Sequence, residues 1–270
     1  MTRRALWRLL DILPAFAVLA AGVGLWETWV RVRGTPGYVL PPPSQIWEAF
    51  TDDRGLVWHH LLMTVGEAAL GLVAGTALGV AIAVLLTSSR LARRVLGPIV
   101  VASQTVPMII LAPLLVLWFG YGLTPKVVVV GLVTFFPVAI STTGGLTGAP
   151  PEQIELIKSM GATSRDVLRR VRVPYALPAL FDGLRIAAAY TVAGAVIAEW
   201  TGASRGLGIY ISRAQASFRV DRVFVAVVVV ALLSTALFLL IGGVARLACP
   251  WYFRRRIGDS PASTPERTAS

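Results

Sequence analysis

The sequence predicts an all-α, polytopic membrane protein: six transmembrane helices and a helix–Gly–helix loop on the cytoplasmic face. Three observations lead there. Of 270 residues, 56% are hydrophobic and only 14% charged, whereas soluble domains carry about 25% charged residues. The mean hydropathy is +0.71, and the apolar residues gather in runs of the roughly 20 residues that a bilayer crossing needs. Between two of these runs stands a polar island, Glu152 to Pro178, rich in arginine and punctuated by one glycine.

The expected spans are 12–31, 61–86, 95–118, 126–145, 183–201 and 222–247. The first follows a basic N-terminus, MTRRALWRLL, that imitates a signal peptide, but its apolar run continues to about Val30 and is expected to be retained as a span. Between the first two spans, Leu40-Pro41-Pro42-Pro43-Ser44 precedes a short amphipathic run, Gln45 to Phe50. Ser44 is a candidate cap for it, with Trp47 and Phe50 expected at the membrane surface and His59 and His60 adjacent in a loop. The second span repeats small residues at a spacing of four (Gly71, Gly75, Gly79), which places them on one helix face suited to close packing within the chain. The third and fourth spans contain Pro107, Pro113 and Pro137 and are joined by a tight turn, Phe119 to Pro125.

The net charge is +11. In a membrane protein such an excess marks cytoplasmic segments. Most Lys and Arg residues fall inside if both termini are cytoplasmic, which also puts the polar island there. Residues 258–270 form a polar tail, expected to be disordered, behind a membrane domain of 1–257. Cys249 is the single cysteine, so there is no intrachain disulfide or cysteine-rich metal site. No phosphate-binding glycine loop, metal-ligand spacing or catalytic constellation is visible, so the expected catalytic and metal-binding residues are none, and nucleic acid is not an expected partner.

The island reads as two short amphipathic helices. Pro151 suits a first helical position, and Glu152 and Glu155 suit the positive end of a helix. Ile154, Ile157 and Met160 form its apolar face, and Gly161 ends it. Thr163 and Asp166 have the spacing of a capping box. Val167, Leu168 and Val171 form the second apolar face among Arg165, Arg169, Arg170 and Arg172, with Pro174 and Pro178 expected to stop the helix and turn the chain back. A mere connection explains the arginines by the positive-inside rule, but it does not require two capped helices. Helices this short need a surface to pack on, and a soluble partner supplies one.

The spacing Glu155, Gly161, Val171-Arg172-Val173-Pro174 resembles the EAA loop of ATP-binding-cassette (ABC) importer permeases, departing at Leu156 and Ile157, where that family often has alanines. Further motifs follow in the order of the nitrate/sulfonate/taurine-type permeases. They are Ser103-Gln104-Thr105-Val106-Pro107, Ala112-Pro113, Leu117-Trp118-Phe119-Gly120, Gly183-Leu184-Arg185-Ile186-Ala187, Ala198-Glu199 and Gly206-Leu207-Gly208, and the resemblance covers about 40 to 255. It implies a bacterial plasma-membrane permease subunit without bound cofactor, and ATP used by separate ATPase subunits. It also implies a second permease copy, most simply in a homodimer, and an extracytoplasmic binding protein. Glu155, Ile157, Met160, Gly161, Ala162, Val171 and Pro174 would couple to the ATPase.

For the substrate pathway the candidates are polar groups within spans: Gln104 with Pro107, and Glu199. The stretch Ser103 to Lys126 resembles permeases for thiamine-precursor pyrimidines or riboflavin more than those for sulfonate- or nitrate-type anions. A secondary transporter or channel is the alternative; it would show embedded acidic and basic couplers or an inverted repeat, and neither is clear in the sequence.

Overall fold

The computed structural model describes residues 2–252, and within them every regular element is helical. The order is α1 (Thr2–Arg33), α2 (Pro43–Ser88), α3 (Arg90–Ser103), α4 (Met108–Phe119), α5 (Leu123–Thr147), α6 (Pro151–Ser159), α7 (Ser164–Val167), a π-turn (Leu168–Arg172), α8 (Val173–Trp200), α9 (Leu207–Ala216) and α10 (Val220–Ala248). The polar tail expected at 258–270 lies outside the described residues.

Among the described residues, four continuous helical stretches are long and apolar enough to cross a membrane: Pro43–Ser88, Leu123–Thr147, Ser164–Trp200 and Val220–Ala248. The expected third span is not one helix. It is the pair α3 and α4, bent by 102°. Pro107 causes the break, since it has no N–H to donate and it biases Val106 away from the helical region. It stands in extended conformation at the start of α4.

Three further expectations do not hold at α2. The run from Gln45 to Phe50 is not a separate surface helix, and His59 and His60 are not in a loop, because α2 is continuous through all of them. Ser44 does not cap its own helix. Its amide and hydroxyl both donate to the carboxylate of Glu27 on α1, at 3.0 and 2.8 Å, so a side chain from another element serves the positive end of α2.

The fold divides into two compact units. The first takes residues up to Thr64 together with Ala203–Ala231. Here α9 is held at its start by side chains of α2. The Gly206 amide donates to His60 Nδ1 and the Leu207 amide to Thr64 Oγ1, both at 2.9 Å. Asp53 accepts from the Tyr210 hydroxyl and from Arg222, both at 3.0 Å.

The second unit takes Val65–Gly202 and the residues from Leu232 onward. Its centre is the antiparallel pair α5 and α8, which approach closely because glycines face backbone. A Cβ on Gly183 would stand 2.8 Å from the Pro137 carbonyl, and one on Gly145 equally close to Ala176. The glycine face of α2 packs on α5 in the same way: a Cβ on Gly79 would meet the Phe135 carbonyl at 2.8 Å. Ala68, Val130 and Ala195 interlock α2, α5 and α8 in one layer. Ala83, Leu146 and Ala176 do so in another. The small-residue stripe is therefore an intrachain seam, as its spacing suggested.

Candidate functional site

The loop between α5 and α8 is built by local backbone chemistry. Proline occupies the first position of α6 and Glu152 its first turn. The helix ends in a Schellman arrangement: the Gly161 amide bonds to the Lys158 carbonyl at 2.9 Å and the Ala162 amide to the Ile157 carbonyl at 3.1 Å. This needs a left-handed residue, and Gly161 has φ of +85°. Open space surrounds the position of its missing Cβ, so conformation rather than room makes glycine necessary there. Thr163 then caps α7 in a reciprocal capping box with Asp166.

The second helix does not stop where the prolines suggested. It passes through the π-turn into α8, so that Ser164 to Trp200 is one continuous stretch. Pro174 sits at the start of α8, just after the turn, where the Val173 amide reaches back to the Leu168 carbonyl. A wider turn removes the clash that a proline ring makes with the carbonyl four residues earlier.

Exposure sorts the residues of this loop. Val167 and Val171 are buried, and Ile154 and Ile157 are partly buried. Leu156 and Met160, one turn apart, are 62% and 79% exposed. The outward apolar ridge of α6 is therefore Leu156–Met160, whereas sequence spacing had selected Ile157 with Met160. The missed residue, Leu156, carries a legible signal, its i,i+4 relation to Met160.

The α3–α4 bend forms one wall of a cavity of about 690 Å³ whose other walls are α5 and α8. Gln104 and Pro107 both line it, together with Phe136, Tyr190 and Gly194. Glu199 does not. It is fully buried on α8, beside Glu67 of α2, and Glu67 forms an ion pair with Lys126 of α5. Three ionisable side chains thus meet in the interior of the second unit. The sequence singled out Glu199 as a polar group within a span and put Lys126 at the first position of the span 126–145. Only the packing of α2 against α5 brings acid and base together.

With this geometry in view, the comparisons with known proteins decide the family. Residues 75–248 match the family described as binding-protein-dependent transport system inner membrane component. The chain belongs to that family. It is 38% identical to the formylaminopyrimidine transport permease protein ThiX of Halalkalibacterium halodurans, over 84% of this chain and 91% of that one. It is 36% identical to the riboflavin transport system permease protein RibX of Chloroflexus aurantiacus, over 84% and 85%. It is 30% identical to the taurine transport system permease protein TauC of Escherichia coli, over 93% and 95%.

Among solved structures, an inward-facing form of the MetNI methionine ABC transporter aligns with a TM-score of 0.56 and 25% identity, covering 72% of this chain and 94% of that one. The protein is thus a multi-pass inner-membrane permease subunit of an ABC importer. Family membership does not favour a secondary transporter, even though the structure supplies the embedded acid–base group that such a reading would have sought.

Proposed function

We propose that this permease couples to a separate ATPase through α6, Gly161 and α7, and carries a small heterocycle of the thiamine-precursor pyrimidine or riboflavin kind. The observation that carries the coupling is the Leu156–Met160 ridge. An exposed apolar pair on a nine-residue helix is marginal without a covering surface. Gly161 holds that helix at a defined angle to the buried Val167–Val171 side, which runs directly into α8. Movement of α6 by the partner is therefore passed into a membrane span without an intervening flexible linker. Glu155, Ile157, Ala162 and Pro174 shape the joint, and Met160 with Leu156 makes the contact.

In this reading both termini and the loop are cytoplasmic, two copies of the chain line the pathway, and a binding protein delivers solute to the opposite face. This chain brings no catalytic residue, metal or cofactor, and ATP is hydrolysed by the partner. The resemblance to ThiX and RibX supports a heterocyclic cargo over a sulfonate- or nitrate-type anion. The test is co-purification: the intact permease retains its ATP-binding subunit through detergent extraction, and Leu156→Asp with Met160→Asp releases it. Retention by the double variant overturns the coupling assignment.

A further inference from the structure

We propose that the cavity at the α3–α4 bend is a solute subsite of this chain for an uncharged, planar nitrogen heterocycle, with Gln104 as its polar contact and Phe136 and Tyr190 as its aromatic walls. The inference rests on the permease reading above and adds where, and by what chemistry, the permease itself meets its cargo.

Size is the first argument. At about 690 Å³ the cavity falls within the ~300–1,000 Å³ of small-molecule sites, enough for a bicyclic or tricyclic ring system.

Charge is the second. Among the described residues, no Asp, Glu, Lys, Arg or His side chain lines the cavity. An anion entering it would exchange water for a wall with no such cation to neutralise it. A sulfonate or nitrate is excluded on that ground, whereas a neutral ring is not.

The polar chemistry that is present is selective. The Ser103 hydroxyl donates to the Val100 carbonyl at 2.7 Å, and that of Thr105 to the Ala102 carbonyl at 2.8 Å. Both are engaged by their own helical turn. Gln104 and Tyr190 also line the cavity. A carboxamide offers a donor and an acceptor side by side, the complement of an amide or aminopyrimidine edge and the same pairing by which Gln reads an adenine edge. Phe136 and Tyr190 offer ring faces for offset stacking. Gln104 is the C-cap of α3, its amide bonded to the Val101 carbonyl at 3.2 Å, three residues before the break at Pro107.

The test uses the permease–ATPase complex in nanodiscs, with Cys249→Ala as background and Ala193→Cys on the cavity wall as a thiol reporter. Maleimide labelling of the reporter is followed with riboflavin or 4-amino-2-methylpyrimidine as the heterocyclic probe and methanesulfonate as the anionic one. A heterocycle is expected to slow labelling about tenfold, methanesulfonate to leave it unchanged, and Gln104→Ala to remove about tenfold of the protection, the worth of one polar contact. Tyr190→Ala gives a second reading should Gln104→Ala fail to assemble. Protection by methanesulfonate, protection by neither probe, or heterocycle protection that survives both substitutions overturns the subsite. Retained ATPase in the same samples separates the two conclusions. A complex that keeps its ATPase but shows no protection defeats only the subsite, and a parent chain that binds no ATPase defeats the permease reading.

Discussion

The α6–α7 loop and the interior of the second unit are held together by opposite means. Between Pro151 and Arg172 nearly every feature is local: a proline at a helix start, a glycine with positive φ at its end, a threonine–aspartate capping box, a π-turn ahead of a proline. Among α2, α5 and α8 the decisive features join residues far apart in sequence. Gly79 seats against Phe135, Gly183 against Pro137, and Glu67 pairs with Lys126. The loop keeps its apolar ridge exposed, so the core does not bury it. The interior differs, because close-packed helices and a buried ion pair fail together when one partner is removed. The coupling proposed above calls for both constructions, an exposed contact and a core that passes its movement on.

The comparison is tested most severely at Lys126. Lys126→Met leaves the buried Glu67 carboxylate without its cation, which costs about 3–5 kcal/mol. Loss of folded permease in thermal melts of the detergent-solubilised protein is the expected outcome, and an unchanged melt would show that the ion pair does not hold the spans. The exposed ridge should behave in the reverse way. Leu156→Asp with Met160→Asp is expected to weaken ATPase retention about tenfold or more while the melting temperature stays within a degree or so of the parent. A large loss of stability would show that this ridge belongs to the core after all.

Gly161 separates conformation from contact within the loop. Gly161→Val forces a β-branched residue into the left-handed region at a cost of about 1–2 kcal/mol, so uptake coupled to ATP hydrolysis should fall. Gly161→Asn, which tolerates that region, should retain most of it. Equal activity of the two variants would remove the hinge from the mechanism.

The smallest effect is expected at Tyr210, in the first unit. Burial, and then its hydrogen bond to Asp53, push the phenol well above its ordinary value. The folded protein therefore keeps a proton that the unfolded chain gives up above about pH 10. The stability this contributes is fully present below that pH and declines above it. Tyr210→Phe removes about 1 kcal/mol and flattens the alkaline limb of a stability–pH curve. An unchanged limb would assign the alkaline loss to other groups.

The loop was largely legible in the sequence because its signals act over three to five residues. Gly161, Thr163 and Asp166 do in the fold what their spacing announced. The errors there concerned what lies beyond the local turn. Pro174 and Pro178 were read as stops because proline breaks an isolated α-helix, and the π-turn that lets the helix continue has no simple composition signal. Met160 was paired with Ile157 rather than Leu156, since a face cannot be called exposed until its neighbours are known. The cavity was legible only as a hint, Gln104 beside Pro107. Phe136 and Tyr190 carried no mark in the sequence that distinguished them from packing aromatics.

The sequence by itself determined the membrane class, the helical architecture, the place of the helix–Gly–helix loop and the family to which the chain belongs. These follow from hydropathy, helix-end chemistry and the ordered motifs, all of which are written along one stretch of chain at a time. Tertiary structure alone decided that Lys126 meets Glu67, that Glu199 is buried beside Glu67 rather than lining the cavity, and that the α3–α4 bend forms that cavity with α5 and α8. The physical reason is that burial and pairing depend on which helix faces approach, and glycines such as Gly79 and Gly183 set that approach through partners more than forty residues away.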